Sequence, residues 1–222
     1  MTPFETDMQD LKTEVINMWQ LVLLQLCKTE EALKTFDKDL AREVVAKEKR
    51  VNALELKIDR DCENIFALYS PVAVDLRFLL AALKINTNLE RIGDIAEGIA
   101  KYIVESRQKF DKELLKSTEL IEMFDCSISI LTDTQSAFEF ENTTLARTIF
   151  SRDEVLDEIN RKADNNISNY VRKNLDTLPE ALYILSMIRK LERVGDQSKN
   201  IAEEIIFYIE AKVLKHDKKA KS

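Results

Sequence analysis

Leu89-Glu90-Arg91-Ile92-Gly93-Asp94 returns as Leu191-Glu192-Arg193-Val194-Gly195-Asp196, a shift of 102 residues. Ile99-Ala100 and Ile103 return as Ile201-Ala202 and Ile205 at the same shift. Upstream, Leu40-Ala41-Arg42 returns as Leu145-Ala146-Arg147 and Met18 as Met123, both at a shift of 105. A loop three residues shorter in the second half accounts for the difference. One unit of about 100 residues therefore occurs twice, and whatever it folds into must be built twice. The expected division is 1–107 and 108–222.

The unit is helical. The chain has only three glycines and three prolines in 222 residues, where average usage would give roughly 26 together. Too few turn formers remain for a sandwich, a barrel or a doubly wound sheet. With 45% apolar and 33% charged residues, the chain can bury a core and cover it with charge, as long amphipathic helices do. Helix starts are marked at Thr2-Pro3-Phe4-Glu5 and Thr177-Leu178-Pro179-Glu180, both capping boxes with an early Pro, and at Ser70-Pro71. These signals predict three helices per repeat, at 3–34, 38–68 and 71–106, then 109–140, 143–174 and 178–214. The expected fold is all-α, two homologous three-helix bundles, laid end to end in the simplest arrangement.

Composition excludes several function classes. A net charge of −7 and a pI near 5.1 leave no basic face for nucleic acid. The acidic N-terminus begins no signal peptide, and no run reaches the ~18 apolar residues of a membrane span. Cys27, Cys62 and Cys126 form no CxxC pair, so free thiols in a reducing cytosol are expected. The one histidine, His216, rules out a histidine triad in the body, an HExxH zinc site and Glu-x-x-His di-iron pairs. It lies in a basic tail with Lys212, Lys215, Lys218, Lys219 and Lys221, which is expected to complement a helix C-terminus and then to fray. A membrane-surface or transporter contact is the alternative for that tail. Trp19, with Leu21, Val22, Leu23, Leu24 and Leu26, is expected in the core, and a run this continuous can also feed a dimer interface.

The chemistry lies in the acids. On the third helix an apolar seam runs through Phe78, Ala82, Ile85, Leu89, Ile92, Ala96, Ile99 and Ile103. Its counterpart on the last helix is Ile184, Met187, Leu191, Val194, Ser198, Ile201 and Ile205. Glu90 and Asp94 fall beside that seam, one turn apart and pointing outward. On the second helix Glu48, Asn52, Glu55 and Asp59 form a stripe beside the seam of Val51, Leu54, Ile58, Cys62 and Ile65; Asp153, Asp157, Asn160 and Asp164 repeat the stripe at a shift of 105. Neither stripe contains a lysine or arginine. Like charges at i,i+4 repel by a few tenths of a kcal/mol, so a positive partner is expected: Arg91 and Arg193 in part, or a bound cation. Oxygen-only ligands favour hard cations such as Mg, Mn, Ca or ferric iron, with zinc possible. Solvated acids paired with Lys and Arg are the plainer reading. Gly93 and Gly195, each mid-helix at a cost of ~1 kcal/mol against Ala, admit close helix packing or, alternatively, ligand access.

These residues resemble the signature of the PhoU family, regulators associated with bacterial phosphate-specific transport. The likeness rests on Pro71-x-x-x-Asp75-Leu76-Arg77, on Leu89 to Asp94, and on the second copy at Leu191 to Asp196, and it spans essentially the whole chain. The resemblance implies surface metal clusters, iron or zinc with manganese or magnesium as alternatives. Their ligands would be Glu48, Asn52, Glu90 and Asp94 in the first repeat and Asp153, Asp157, Glu192 and Asp196 in the second. Asn52 departs from the all-acidic pattern and lowers the charge of the first site. Asp75 and Arg77, candidates for partner binding, have no counterpart in the second repeat, where Leu178-Pro179-Glu180 stands. By the same resemblance the protein is a non-enzymatic, cytoplasmic and homodimeric negative regulator of phosphate uptake and of the phosphate-starvation (Pho regulon) response. It would link the ATPase subunit of a phosphate ABC transporter to a sensor histidine kinase. No Gly-rich phosphate loop is present. Two readings compete with the adaptor: a carboxylate-bridged metalloenzyme, and a metal-free helical scaffold.

Overall fold

A computed structural model describes residues 2–214. All elements among them are helical: α1 (Pro3–Thr35), α2 (Lys38–Tyr69), α3 (Ala73–Glu105), α4 (Lys112–Ser117), α5 (Leu120–Glu139), α6 (Thr143–Val171) and α7 (Leu178–Glu210), with a 3₁₀ turn at Leu175–Thr177 before α7. The four longest helices each span about 50 Å at 1.5 Å per residue. The expected capping box at Thr2 forms, with Glu5 N–H donating to Thr2 Oγ1 (3.2 Å) and Thr2 N–H to Glu5 Oε2 (2.8 Å). Asp37 and Asn142 cap α2 and α6 through their side chains.

Three local expectations need correction. Ser70 does not start α3. It ends α2 in the left-handed region (φ 48°), its N–H reaching Phe66 O, and α3 begins at Ala73. The box at Thr177 does not close, because the Thr177 hydroxyl donates to Asn174 O (2.7 Å) instead. The helix expected over 109–140 is two helices. The Thr118 hydroxyl bonds back to Leu114 O (2.8 Å), and Glu119 takes φ 54°, a local competition typical of Ser and Thr. The break lets Phe110, Leu114, Leu115 and Leu120 all enter the core. Tyr170 OH, donating to Asp111 Oδ1 (2.6 Å), ties the short α4 to α6. The last two helices also end earlier than expected, at Val171 and Glu210.

Both seams are buried throughout, Ser198 included. The two bundles lie side by side rather than end to end. α3 packs on α7 and α1 on α5, so α1, α3, α7 and α5 close a ring; α2 covers α1 and α3 on one side, α6 covers α5 and α7 on the other. The reason is that α3 and α7 are apolar on more than one stripe. Leu79, Ala81, Ile95 and Ala100 on α3, and Ala181, Ile188, Ala202 and Ile206 on α7, lie off the seams and are buried as well. An end-to-end arrangement would leave them wet, at ~25 cal/mol per Å².

Polar ties cross the junction between bundles. Trp19 Nε1 donates to Leu131 O (3.1 Å), Lys84 pairs with Glu204 (2.9 Å), and Arg77 Nε donates to Tyr208 O (3.2 Å). Phe78, Phe138 and Tyr208 form an aromatic cluster there, with centroids 5.7–6.2 Å apart. Trp19 thus serves the core, as expected, at the seam between the repeats. Of the tail, Lys212 pairs with Glu210 (2.9 Å); Lys215, His216, Lys218, Lys219 and Lys221 lie outside the described residues.

Candidate functional site

Each repeat places the acids of one helix against the Glu-x-x-x-Asp of the next. On the first face, α2 brings Glu48 over Gly93 of α3. A Cβ at Gly93 would lie 3.2 Å from Glu48 Oε2 and 3.2 Å from Val51 Cγ1. The glycine therefore makes room for a carboxylate of the neighbouring helix, in keeping with the close-packing reading of its role. Glu48 does not point outward with the rest of its stripe; it is only 4% exposed. Its Oε2 accepts a hydrogen bond from Gln25 Nε2 of α1 (2.9 Å), while Oε1 is buried without a partner. Asp94 and Asn52 are exposed, and Glu90 and Glu55 are half-buried.

The electrostatics of this face are those of crowded acids. Burial pushes the Glu48 carboxyl up to about 7, with Asp94, Glu97 and Glu90 adding to the rise and only the Gln25 hydrogen bond opposing it. Burial, then Asp94 and Glu55, carry Glu90 up to about 6. Burial, then Asp59 and Asp94, raise Glu55 as well. Lys101 stands nearby but pairs with Glu97 (2.6 Å). Both line an open cleft of about 460 Å³ with Glu48, Asn52 and Arg42.

The second face repeats the geometry with one change. Asp153 of α6 is 2% exposed and lies over Gly195 of α7. Its Oδ1 would collide with a Cβ at Gly195 and has no partner. Its Oδ2 pairs with Lys199, which also holds Asp196 Oδ1 (2.9 Å). Burial alone would lower the Lys199 ammonium, but the hydrogen bonds to Asp153 and Asp196 outweigh it and the net shift is upward. Burial raises Asp153, with Lys199 acting against it. Burial, then Asp196 and Asp157, raise Glu192. Asp157 and Asn160 are half-buried, and Asp164 reaches Arg189 (3.4 Å) at the exposed end of the stripe.

The structure thus brings Glu48, Glu90 and Asp94 within electrostatic reach of one another, with Asn52 sharing a cleft with Glu48, and brings Asp153, Asp157, Glu192 and Asp196 together likewise. As the side chains stand, no group of three or more His, Cys, Asp or Glu among the described residues could hold a metal ion. Arg91 and Arg193 form no ion pair among the described residues. They line the cleft between α3 and α7 with Lys190, whose ammonium sits over the Tyr102 ring (5.9 Å). Asp75 belongs to a different cleft, lined by Phe4, Met8, Phe78 and Tyr208. Two participants escaped the sequence reading. Gln25 had no signal. Lys199 had one, since the 102-residue shift sets it against Glu97.

The family model described as "PhoU domain" matches this chain twice, over residues 15–103 and 120–205. The chain belongs to the PhoU family. Both PhoU matches end just past the Glu-x-x-x-Asp motifs, so each contains one complete acidic face. Among curated relatives, the "Phosphate-specific transport system accessory protein PhoU homolog 1" of Thermotoga maritima is 33% identical, over 96% of this chain and 91% of its own length. The PhoU accessory protein of Escherichia coli is 31% identical, covering 96% and 88%. A crystal structure of "the phosphate transport system regulatory protein PhoU from Streptococcus pneumoniae" superposes with a TM-score of 0.85 at 27% identity, covering 95% of this chain and 98% of that one.

Proposed function

We propose that this PhoU-family chain is a non-enzymatic accessory of a phosphate-specific transport system, a negative regulator of phosphate uptake and of the phosphate-starvation response. Its partners in this reading are the ATPase subunit of the phosphate ABC transporter and a phosphate-responsive sensor histidine kinase. It acts in the cytoplasm as a homodimer, and no described helix is long and apolar enough to cross a membrane. The observation that carries the reading is the end-to-end match of both repeats to relatives named as transport accessories.

Metal binding belongs to the same proposal, and the first face fits it. Its donors are all oxygen, as a hard divalent cation prefers. Its acids repel one another, and Glu48 Oε1 is buried with nothing to bond, a costly state that a cation would relieve. Glu48, Asn52, Glu90 and Asp94 would hold the ion once their side chains turn to a common point. The chain's own contribution is to fix the α2 and α3 backbones: Gly93 and Gln25 place Glu48, and the helix repeat places Glu90 one turn from Asp94. The ion would supply charge neutralisation, joining two helices, rather than turnover.

The test is genetic. In the source organism lacking this gene, a phosphate-starvation promoter should fire at high external phosphate and phosphate uptake should rise; plasmid-borne wild type should restore both. Unchanged promoter activity and uptake in the deletion strain would refute the regulatory reading.

A further inference from the structure

The two acidic faces share a backbone and differ in what neutralises them. On the first, Lys101 pairs with Glu97, and Arg91 forms no ion pair among the described residues. Among the described residues no ion pair reaches Glu48, Glu90 or Asp94. On the second, Lys199 Nζ sits between Asp153 Oδ2 and Asp196 Oδ1. One of these acids comes from α6 and the other from α7, so the ammonium joins the two helices as a bound ion would.

The unpaired oxygens differ too. Glu48 uses Oε2 for both Gln25 and the approach to Gly93, leaving Oε1 unengaged. Asp153 spends Oδ2 on Lys199, and its unpaired Oδ1 is the atom pressed on Gly195, directed at the α7 backbone. A divalent ion at the second face would therefore have to displace a tethered ammonium from two carboxylates at once. Effective concentrations of tethered groups reach the millimolar range.

We infer that Lys199 occupies the cation position of the second acidic face, so that this chain takes a divalent metal at the first face only. The inference rests on the metal-binding part of the proposed function, and its test separates the two.

Wild-type, Asp94→Asn, Asp196→Asn, Lys199→Met and Lys199→Met/Asp196→Asn proteins, stripped with chelator and desalted, are dialysed against Mn²⁺ and their bound manganese measured by elemental analysis. Circular dichroism checks that each is helical. Wild type should bind Mn²⁺ that Asp94→Asn abolishes and Asp196→Asn leaves unchanged. Lys199→Met should bind roughly twice the wild-type amount, the excess vanishing in the double variant. If Asp196→Asn halves the manganese on wild type, the second face binds metal despite Lys199: the inference falls and metal binding stands. That arm does not depend on Lys199→Met folding, because the Asp196 carboxylate is about half exposed. If wild type is empty but Lys199→Met binds, Lys199 does block the second face, yet metal at the first face only is refuted together with the first-face reading. If both are empty, both fail.

Discussion

Glu48 and Asp153 are the same feature solved twice. Each interrupts an apolar seam and lies over a helical glycine, and each is almost wholly removed from water. The first is steadied by a neutral amide from α1, the second by an ammonium from α7. A duplicated motif thus preserves where the buried carboxylate sits while leaving open how its charge is met. The residue one turn past the motif makes the difference: Lys199 meets the charge in the second repeat, whereas Glu97 adds to the crowding in the first.

Removing Lys199 should break this asymmetry with the largest effect on stability. Losing one partner of a buried pair costs ~3–5 kcal/mol. The lysine is about a quarter exposed, so about 2–3 kcal/mol is expected for Lys199→Met in metal-free protein at pH 8, read as a fall in urea midpoint. Adding Asp153→Asn should recover most of the loss, since no charge is then stranded. A double variant as unstable as the single would mean that Lys199 acts through its stem rather than its charge.

The glycines give the next contrast. At Gly195 an added Cβ would collide with Asp153 Oδ1 and approach Leu156 Cδ1 to 2.7 Å; at Gly93 its nearest contacts are 3.2–3.3 Å, to the ends of Glu48, Val51 and Gln25. Alanine gains ~1 kcal/mol of helix propensity at either site, and overpacking costs ~1–3 kcal/mol. Gly93→Ala should therefore be nearly neutral in thermal melts, and Gly195→Ala destabilising by about 1–2 kcal/mol. Equal effects would show that Asp153 can move aside and is not wedged.

Much of this was legible, and the failures are instructive. Every residue of the α3 and α7 seams is buried, and Glu90 and Asp94 do fall off them, because a 3.6-residue period is a local property. Residue type sets Glu48 and Asp153 in a stripe beside the seam, although Val44-Glu48-Val51 and Ile149-Asp153-Leu156 keep the seam's own four-then-three spacing. The residue type outweighed the period, and the period was right. The side-by-side arrangement was harder to see. It depends on α3 and α7 each burying more than one stripe, and which helix covers the second stripe is a long-range matter. The break at Thr118 and Glu119 depends on a hydroxyl choosing a backbone carbonyl, and nothing in the apolar pattern announces it.

The last contrast isolates Glu48, through the pH dependence of stability. Its carboxyl is raised from an ordinary 4.5 to about 7, so the folded chain binds this proton more tightly than the unfolded one. The resulting stability is fully present below pH 4.5 and is lost as pH rises towards 7. Glu48→Gln should accordingly flatten the fall in melting temperature of metal-free protein between pH 5 and pH 8, and Asp196→Asn, on the other face, should not. Gln25→Leu acts in the opposite sense. It removes the hydrogen bond that opposes the rise, so the carboxyl should titrate still higher and the pH 8 protein should lose about 1 kcal/mol. At pH 5 the loss should shrink towards zero, because a protonated Glu48 needs the amide less and Gln25 Oε1, itself buried without a partner, is removed at the same time. A pH-independent loss would instead place the value of Gln25 in its packing between α1 and Gly93.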